Sequence, residues 1–184
     1  MAETFTLTAQ NALPQGDVMT LGETGIRVAP MARLTTLMPG RGDQDIFARA
    51  LRRHHGLGLP QAGQSTTADG VECLWFGQGQ YLLIGAEANV NLLKSAALTD
   101  QSDAWSTVLI EGPLARDVLA RLTPLDLRAA TFAEGATART EIRHMMASIT
   151  RVSDSGFRLM VFRSMAQTLL HELKETLEMV AARP

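Results

Sequence analysis

The sequence predicts a duplicated α+β fold in which two β-α-β-β-α units are built on mainly antiparallel sheet. Three observations carry this. Short runs of alternating apolar residues are bounded by glycine and proline, the period-two signature of half-buried strands. Stretches with three- and four-residue apolar spacing follow some of these runs, the signature of a helix lying on a sheet. The order of the runs in the first half recurs in the second, with residue correspondences.

In chain order, residues 1–24 are polar and punctuated by Pro14, Gly16 and Gly22. They read as an arm with at most a short strand near Phe5 and Leu7. Such an arm orders in a complex, where Phe5, Leu7, Leu13 and Val18 dock on a neighbour. The single domain covers 25–184. Its first unit, about 26–97, opens with a strand over 26–38 that Pro39-Gly40-Arg41-Gly42 breaks. Asp43 is placed to cap a helix over 44–55. A loop over 56–70 leads to strands at 71–76 and 80–84, joined through Gly77-Gln78-Gly79. A helix at 87–97 closes the unit.

The second unit, about 104–181, starts with a strand at 105–111. Gly112-Pro113 then opens a helix to about 122, with proline in the first turn, where its missing N–H costs nothing. A long hairpin over 138–152 and 156–163 turns around Ser153-Asp154-Ser155. Ser164 can cap a last helix, whose apolar stripe includes Leu169, Leu170, Leu173, Leu177 and Val180. A shift of 68 positions lays Phe47, Ala50 and Leu51 on Ala115, Val118 and Leu119. A shift of 77 lays Leu83 and Ile84 on Met160 and Val161. Each unit leaves a sheet edge, so the two halves are expected to pair with each other.

Composition narrows the function classes. A formal net charge of −2, with basic residues spread along the chain, offers no field for nucleic acid or an anionic membrane. One cysteine, Cys73, excludes an internal disulfide and a multi-cysteine zinc site. The absence of a long apolar run makes the chain cytoplasmic by expectation.

Chemistry-bearing residues are few. His54 and His55 are neighbours on a helix and diverge by roughly 100°. His171 and Glu175 share a face at i, i+4; an exposed polar pair is favoured over a metal site. His144 lies inside an expected strand without a partner. Cys73 reads as core rather than nucleophile, since it shares a strand face with Val71 and Trp75. The turns Gly40-Arg41-Gly42-Asp43 and Glu111-Gly112-Pro113 precede helices, where phosphate can bind, but their carboxylates oppose an anion. Trp75, Phe76 and Tyr81 surround a hairpin and either stack a flat ligand or, the favoured reading, pack between sheet and helix. These residues assign no catalytic group, no metal ligand and no cofactor-binding residue.

Trp75-Phe76-Gly77 followed by Tyr81-Leu82-Leu83-Ile84, the stretch Gly112-Pro113-Leu114-Ala115-Arg116-Asp117-Val118-Leu119, and Pro124-Leu125-Asp126-Leu127 together resemble the gamma subunits of heterotetrameric sarcosine oxidase over about 25–181. The resemblance implies a fold like the first domain of the folate-dependent aminomethyltransferases. It implies a non-catalytic subunit that binds no cofactor and supports assembly with alpha, beta and delta subunits. Those partners are expected to carry FAD, FMN, NAD and tetrahydrofolate. Their complex oxidatively demethylates sarcosine to glycine and hydrogen peroxide, with folate capturing the one-carbon unit. The alternative is a free-standing folate- or flavin-binding module of the same fold.

Overall fold

The computed structural model describes residues 8–182. Its strands are β1 (Gly16–Leu21), β2 (Thr24–Val28), β3 (Leu34–Pro39), β4 (Ser65–Ala68), β5 (Val71–Gly77), β6 (Gln80–Ile84), β7 (Ala96–Asp100), β8 (Trp105–Glu111), β9 (Thr137–Ile142), β10 (Met145–Arg151) and β11 (Gly156–Phe162). The helices are α1 (Gln44–His55), α2 (Ala115–Leu119) and α3 (Ala166–Ala181), and 3₁₀ turns cover Val90–Lys94 and Arg163–Met165.

Strand order reveals the duplication. One sheet runs β4-β5-β6-β3-β7 and the other β1-β2-β8-β11-β10-β9, with antiparallel neighbours throughout. The quartet β4-β5-β6-β3 has the same neighbours as β9-β10-β11-β8. The connections β3-to-β4 and β8-to-β9 contain α1 and α2. The second unit is therefore β-α-β-β-β-α, one strand richer than the sequence pattern implies, and the first is β-α-β-β-β followed by a 3₁₀ turn and β7.

Register also corrects the correspondence. Tyr81 faces Leu37 across β6 and β3, and Leu159 faces Val108 across β11 and β8. All four lie on the helix-covered faces of their sheets, while Leu82 and Met160 both lie between the sheets. The offset must therefore be even. The symmetric bonds of Ser65 to Gly135 and Thr137 to Gly63, followed across each sheet, place Leu82 on Arg158 and Tyr81 on Phe157, one residue from the offset of 77. A one-residue slip in a strand exchanges its two faces, so that offset pairs inward residues with outward ones.

The two sheets do not join edge to edge as expected. They stack, making four layers. Leu34, Leu74, Phe76, Leu82, Trp105 and Met160 fill the space between sheets. Phe47, Leu51 and Leu92 pack with β3, β5 and β6 on one outer face. Helices α2 and α3 cover the other with Val118, Leu119, Leu169, Leu173 and Leu177. Between the sheets Trp105 meets Phe76 edge-on at 5.3 Å and Phe162 at 4.6 Å. An isolated bridge, Gln64 to Ala136, links the sheets' margins.

Several elements differ from expectation for identifiable reasons. The strand expected at 26–38 is two strands in different sheets, because Pro30 cannot donate to a ladder and the chain crosses over at 29–33. The loop expected at 56–70 contains β4. The helix expected at 87–97 is a 3₁₀ turn followed by β7, whose pairing with β3 overrides helical propensity. The strand expected at 138–152 is a hairpin of β9 and β10. Arg143 and His144 turn it with φ of 46° and 67°, the geometry of a two-residue primed turn. Asp43 occupies the N-cap position of α1 without a side-chain cap bond, and Ser164 lies within the 3₁₀ turn before α3.

Residues 16–21 are not a free arm. Strand β1 pairs with β2, Leu13 is 2% exposed in the helix-side core, and Val18 packs against it. Phe5 and Leu7 lie outside the described residues.

Candidate functional site

The reactive residues singled out in the sequence do structural work. Cys73 is fully buried beside Phe47 and Leu51. Burial, and then the charge of Glu72, push its thiol up to about 12, which keeps the sulfur protonated and unreactive. His55 Nε2 accepts a hydrogen bond from the Asn89 N–H at 3.2 Å, fixing the loop that enters the 3₁₀ turn. Its pKa lies below the ordinary value through burial and, second, the adjacent His54. His171 Nε2 lies 3.5 Å from Glu175 Oε2, both exposed on α3. Among the described residues no third ligand joins them. His144 sits in the β9–β10 turn.

The sequence signatures resolve into architecture as well. Gly112 has φ of +125°, and a Cβ there would lie 2.3 Å from the Glu23 carbonyl oxygen and 2.6 Å from Thr24 Cα. Only glycine lets β8 pass the start of β2 so closely. Thr24 Oγ1 then accepts from the Leu114 N–H at 3.1 Å, and Ala115, Val118 and Leu119 are buried. Asp126 accepts from the Arg128 side chain and backbone, which holds its carboxyl well below the usual range and ties down the loop after α2. In the aromatic hairpin, Tyr81 stacks on Phe47 at 6.1 Å while Phe76 packs between the sheets. Tyr81 and Trp75 pack on the helix side of their sheet, as expected, whereas Phe76 does not, because the neighbouring strand face meets the second sheet.

The repeats meet at a polar cleft of about 500 Å³ lined by Ser65, Thr67, Glu72, Glu134, Arg151 and Arg158 among others. Arg158 on β11 donates to both carboxylate oxygens of Glu72 on β5, at 2.5 and 2.8 Å, with the side chains 13% and 15% exposed. Arg151 donates to the carbonyls of Phe132, Ser153 and Asp154. Nearby, the Arg139 guanidinium lies 4.2 Å from the Phe76 ring centre and 5.0 Å from that of Trp105. Arg158 and Arg139 thus clamp one sheet to the other, although the buried Nε of each has no hydrogen-bond partner among the described residues, while Arg151 ties down loops of its own repeat. Sequence reading missed all of these residues. Glu72 and Arg158 are 86 positions apart and look like ordinary solvent-side strand residues.

A second concavity, about 600 Å³, lies on the outer surface between α1 and the Val90–Lys94 turn. Ile46, Arg49, Ala50, Arg53 and His54 line one side, spaced as one face of a helix. Ile46, Val90 and Leu93 are 50%, 69% and 57% exposed.

No protein-family model matches the chain. A curated relative, sarcosine oxidase subunit gamma of Corynebacterium sp. (strain U-96), is 26% identical over 176 residues, covering 88% of this chain and 83% of the relative. The chain resembles the gamma subunit of sarcosine oxidase. The same fold occurs in heterotetrameric sarcosine oxidase from Corynebacterium sp. U-96, solved with pyrrole 2-carboxylate. That match has a TM-score of 0.75 and 24% identity over 89% of both chains. Aminomethyltransferase T of the glycine cleavage system from Bartonella henselae matches with a TM-score of 0.58 and 15% identity. It covers 82% of this chain and 45% of that one. The aminomethyltransferase-like fold expected from the sequence motifs is the fold observed. Among the described residues no helix is long and apolar enough to cross a membrane.

Proposed function

We propose that this chain is the non-catalytic gamma subunit of a cytoplasmic heterotetrameric sarcosine oxidase. Its role is to support assembly with alpha, beta and delta subunits. The observation that carries this reading is the likeness to a sarcosine oxidase gamma subunit over 88% of this chain and 83% of that one. The internal chemistry agrees with it. The cysteine is locked in the core, the buried arginines are engaged by carboxylates, carbonyls and rings, and the sequence signatures serve strand crossing and loop closure. In this reading FAD, FMN, NAD and tetrahydrofolate reside on the partners, and the assembled enzyme converts sarcosine to glycine and hydrogen peroxide.

The test is to express the chain alone and together with the partner subunits of the source organism. Alone it is expected to be colourless and to produce no peroxide from sarcosine; together it is expected to co-purify as a stoichiometric component. A flavin spectrum from the chain alone, or failure to co-purify, refutes the proposal. The fold likeness to aminomethyltransferase T motivates a second reading, a folate-binding module. Saturable tetrahydrofolate binding by the isolated chain in titration calorimetry would favour it.

A further inference from the structure

The groove between α1 and the Val90–Lys94 turn has a counterpart elsewhere in the molecule, because the fold is duplicated. The shift of 68 that aligns α1 with α2 places Ile46, Ala50 and His54 on Leu114, Val118 and Leu122. In the second unit those three positions belong to or pack against the core cluster, together with Leu169, Leu173 and Leu177 of α3. A helix of 16 residues covers them. In the first unit the element that follows the sheet strands is a 3₁₀ turn of five residues, of which only Leu92 is buried. The stripe on α1 therefore lacks the covering helix that its equivalent possesses. Ile46 is left half exposed along it, beside the partly buried Ala50.

The charge on this groove differs from that of its counterpart. Arg49, Arg53 and Lys94 rim it, and among the described residues none has a carboxylate within ion-pair distance. In the second unit the position of Arg49 is taken by Asp117. A cationic rim around an apolar floor selects a partner of opposite charge, and complementary rims steer association as well as fix register. Helix α1 has 12 residues, so the groove accepts about 18 Å of helix, or roughly three turns.

We propose that this groove seats an acidic amphipathic helix of a partner subunit, which supplies in trans the layer that α3 supplies in cis for the other repeat. The inference rests on the assembly reading above and specifies its contact surface. Helix-in-groove recognition of this kind uses apolar anchors at i, i+3, i+4 and i+7. The incoming helix would place such anchors against Ile46 and Ala50, and carboxylates toward Arg49, Arg53 and Lys94.

The test uses the full chain in the co-purified complex, with the photo-crosslinking residue p-benzoylphenylalanine at position 46 in the groove and, as a control on the outer face of α3, at position 179. Position 46 is expected to cross-link to a partner segment that is helical and rich in Asp and Glu, and position 179 is not. A double charge reversal, Arg49→Glu with Arg53→Glu, is expected to weaken assembly at least tenfold, against less than twofold for the control Arg121→Glu in the turn after α2. Thermal melts confirm that each variant is folded. Ile46→Asp is a second disruptive variant should the double reversal not fold. A cross-link from position 46 to a second copy of this chain, to another part of the same chain, or to a partner segment without carboxylates overturns the proposal. So does native assembly by the folded disruptive variants. Failure of the wild-type chain to co-purify at all is a different result, and it overturns the assembly reading itself.

Discussion

Breaking the Glu72–Arg158 pair tests whether the two sheets are clamped as described. The perturbation is a double-mutant cycle with Glu72→Met, Arg158→Met and the combined variant. Two contacts of 2.5 and 2.8 Å put the charge centres about 4 Å apart, worth roughly 4 kcal/mol of attraction at an effective dielectric constant near 20. Removing one partner strands the other charge in a site that is 13–15% exposed. Buried pairs broken this way lose about 3–5 kcal/mol, and the residual solvent access lowers the expectation here to about 2.5 kcal/mol for each single variant. The combined variant replaces two desolvated charges with apolar chains and is expected to lie within about 1 kcal/mol of wild type. The coupling energy is then about 4 kcal/mol, in line with the Coulomb figure. The assay is urea unfolding, with midpoint and slope fitted for all four proteins. The exposed pair Arg33–Asp100, at 3.0 Å, supplies a control cycle with an expected coupling below about 1 kcal/mol. Single variants that cost under 1 kcal/mol, or effects that simply add, would refute the clamp.

Other consequences follow from the same contacts. Gly112→Ala drives a Cβ into the backbone of Glu23 and Thr24 at a positive φ, so it should cost about 3 kcal/mol or more, read as a lowered urea midpoint. Deleting residues 2–20 removes most of β1 together with Leu13 and leaves β2 as a bare edge. The isolated chain should lose at least about 3 kcal/mol, a fall of roughly 6–12 °C in Tm; an unchanged melt would make these residues an arm after all. Cys73 should resist a thiol-specific reagent at pH 8 in the folded chain and react at once in denaturant. Burial raises its pKa in the folded chain to about 12, above the thiol's ordinary 9.0, so the folded state holds its proton longer than the unfolded state does. That contribution to stability is whole below pH 9.0 and declines as pH rises from there toward 12, which pH-dependent unfolding can follow.

Much of this protein was legible in its sequence, and the reason in each case is local. Period-two alternation located β5, β6, β8 and β11, because a strand with one buried face must alternate. The 3.6-residue stripes located α1 and α3, and Gly56 ends α1 in a left-handed cap with φ of 69°, donating its N–H to the Arg52 carbonyl. The motifs at 75–84, 112–119 and 124–127 pointed to the family whose gamma subunit the chain resembles. The order of elements was enough to detect the duplication.

What tertiary structure decided are the relations that no local pattern encodes. Whether 96–100 is helix or strand depended on an open edge of β3 waiting for it. The true correspondence of the repeats depended on strand register, in which a single residue exchanges the two faces of a sheet. Stacking rather than edge pairing brought Glu72 to Arg158 and placed Arg139 over two aromatic rings, contacts between residues that read as solvent-facing in their own strands. The bare stripe on α1 was readable as a helix face, but only the duplicated fold shows that its equivalent is covered. Local periodicity determines which face of an element is apolar; packing determines what that face meets.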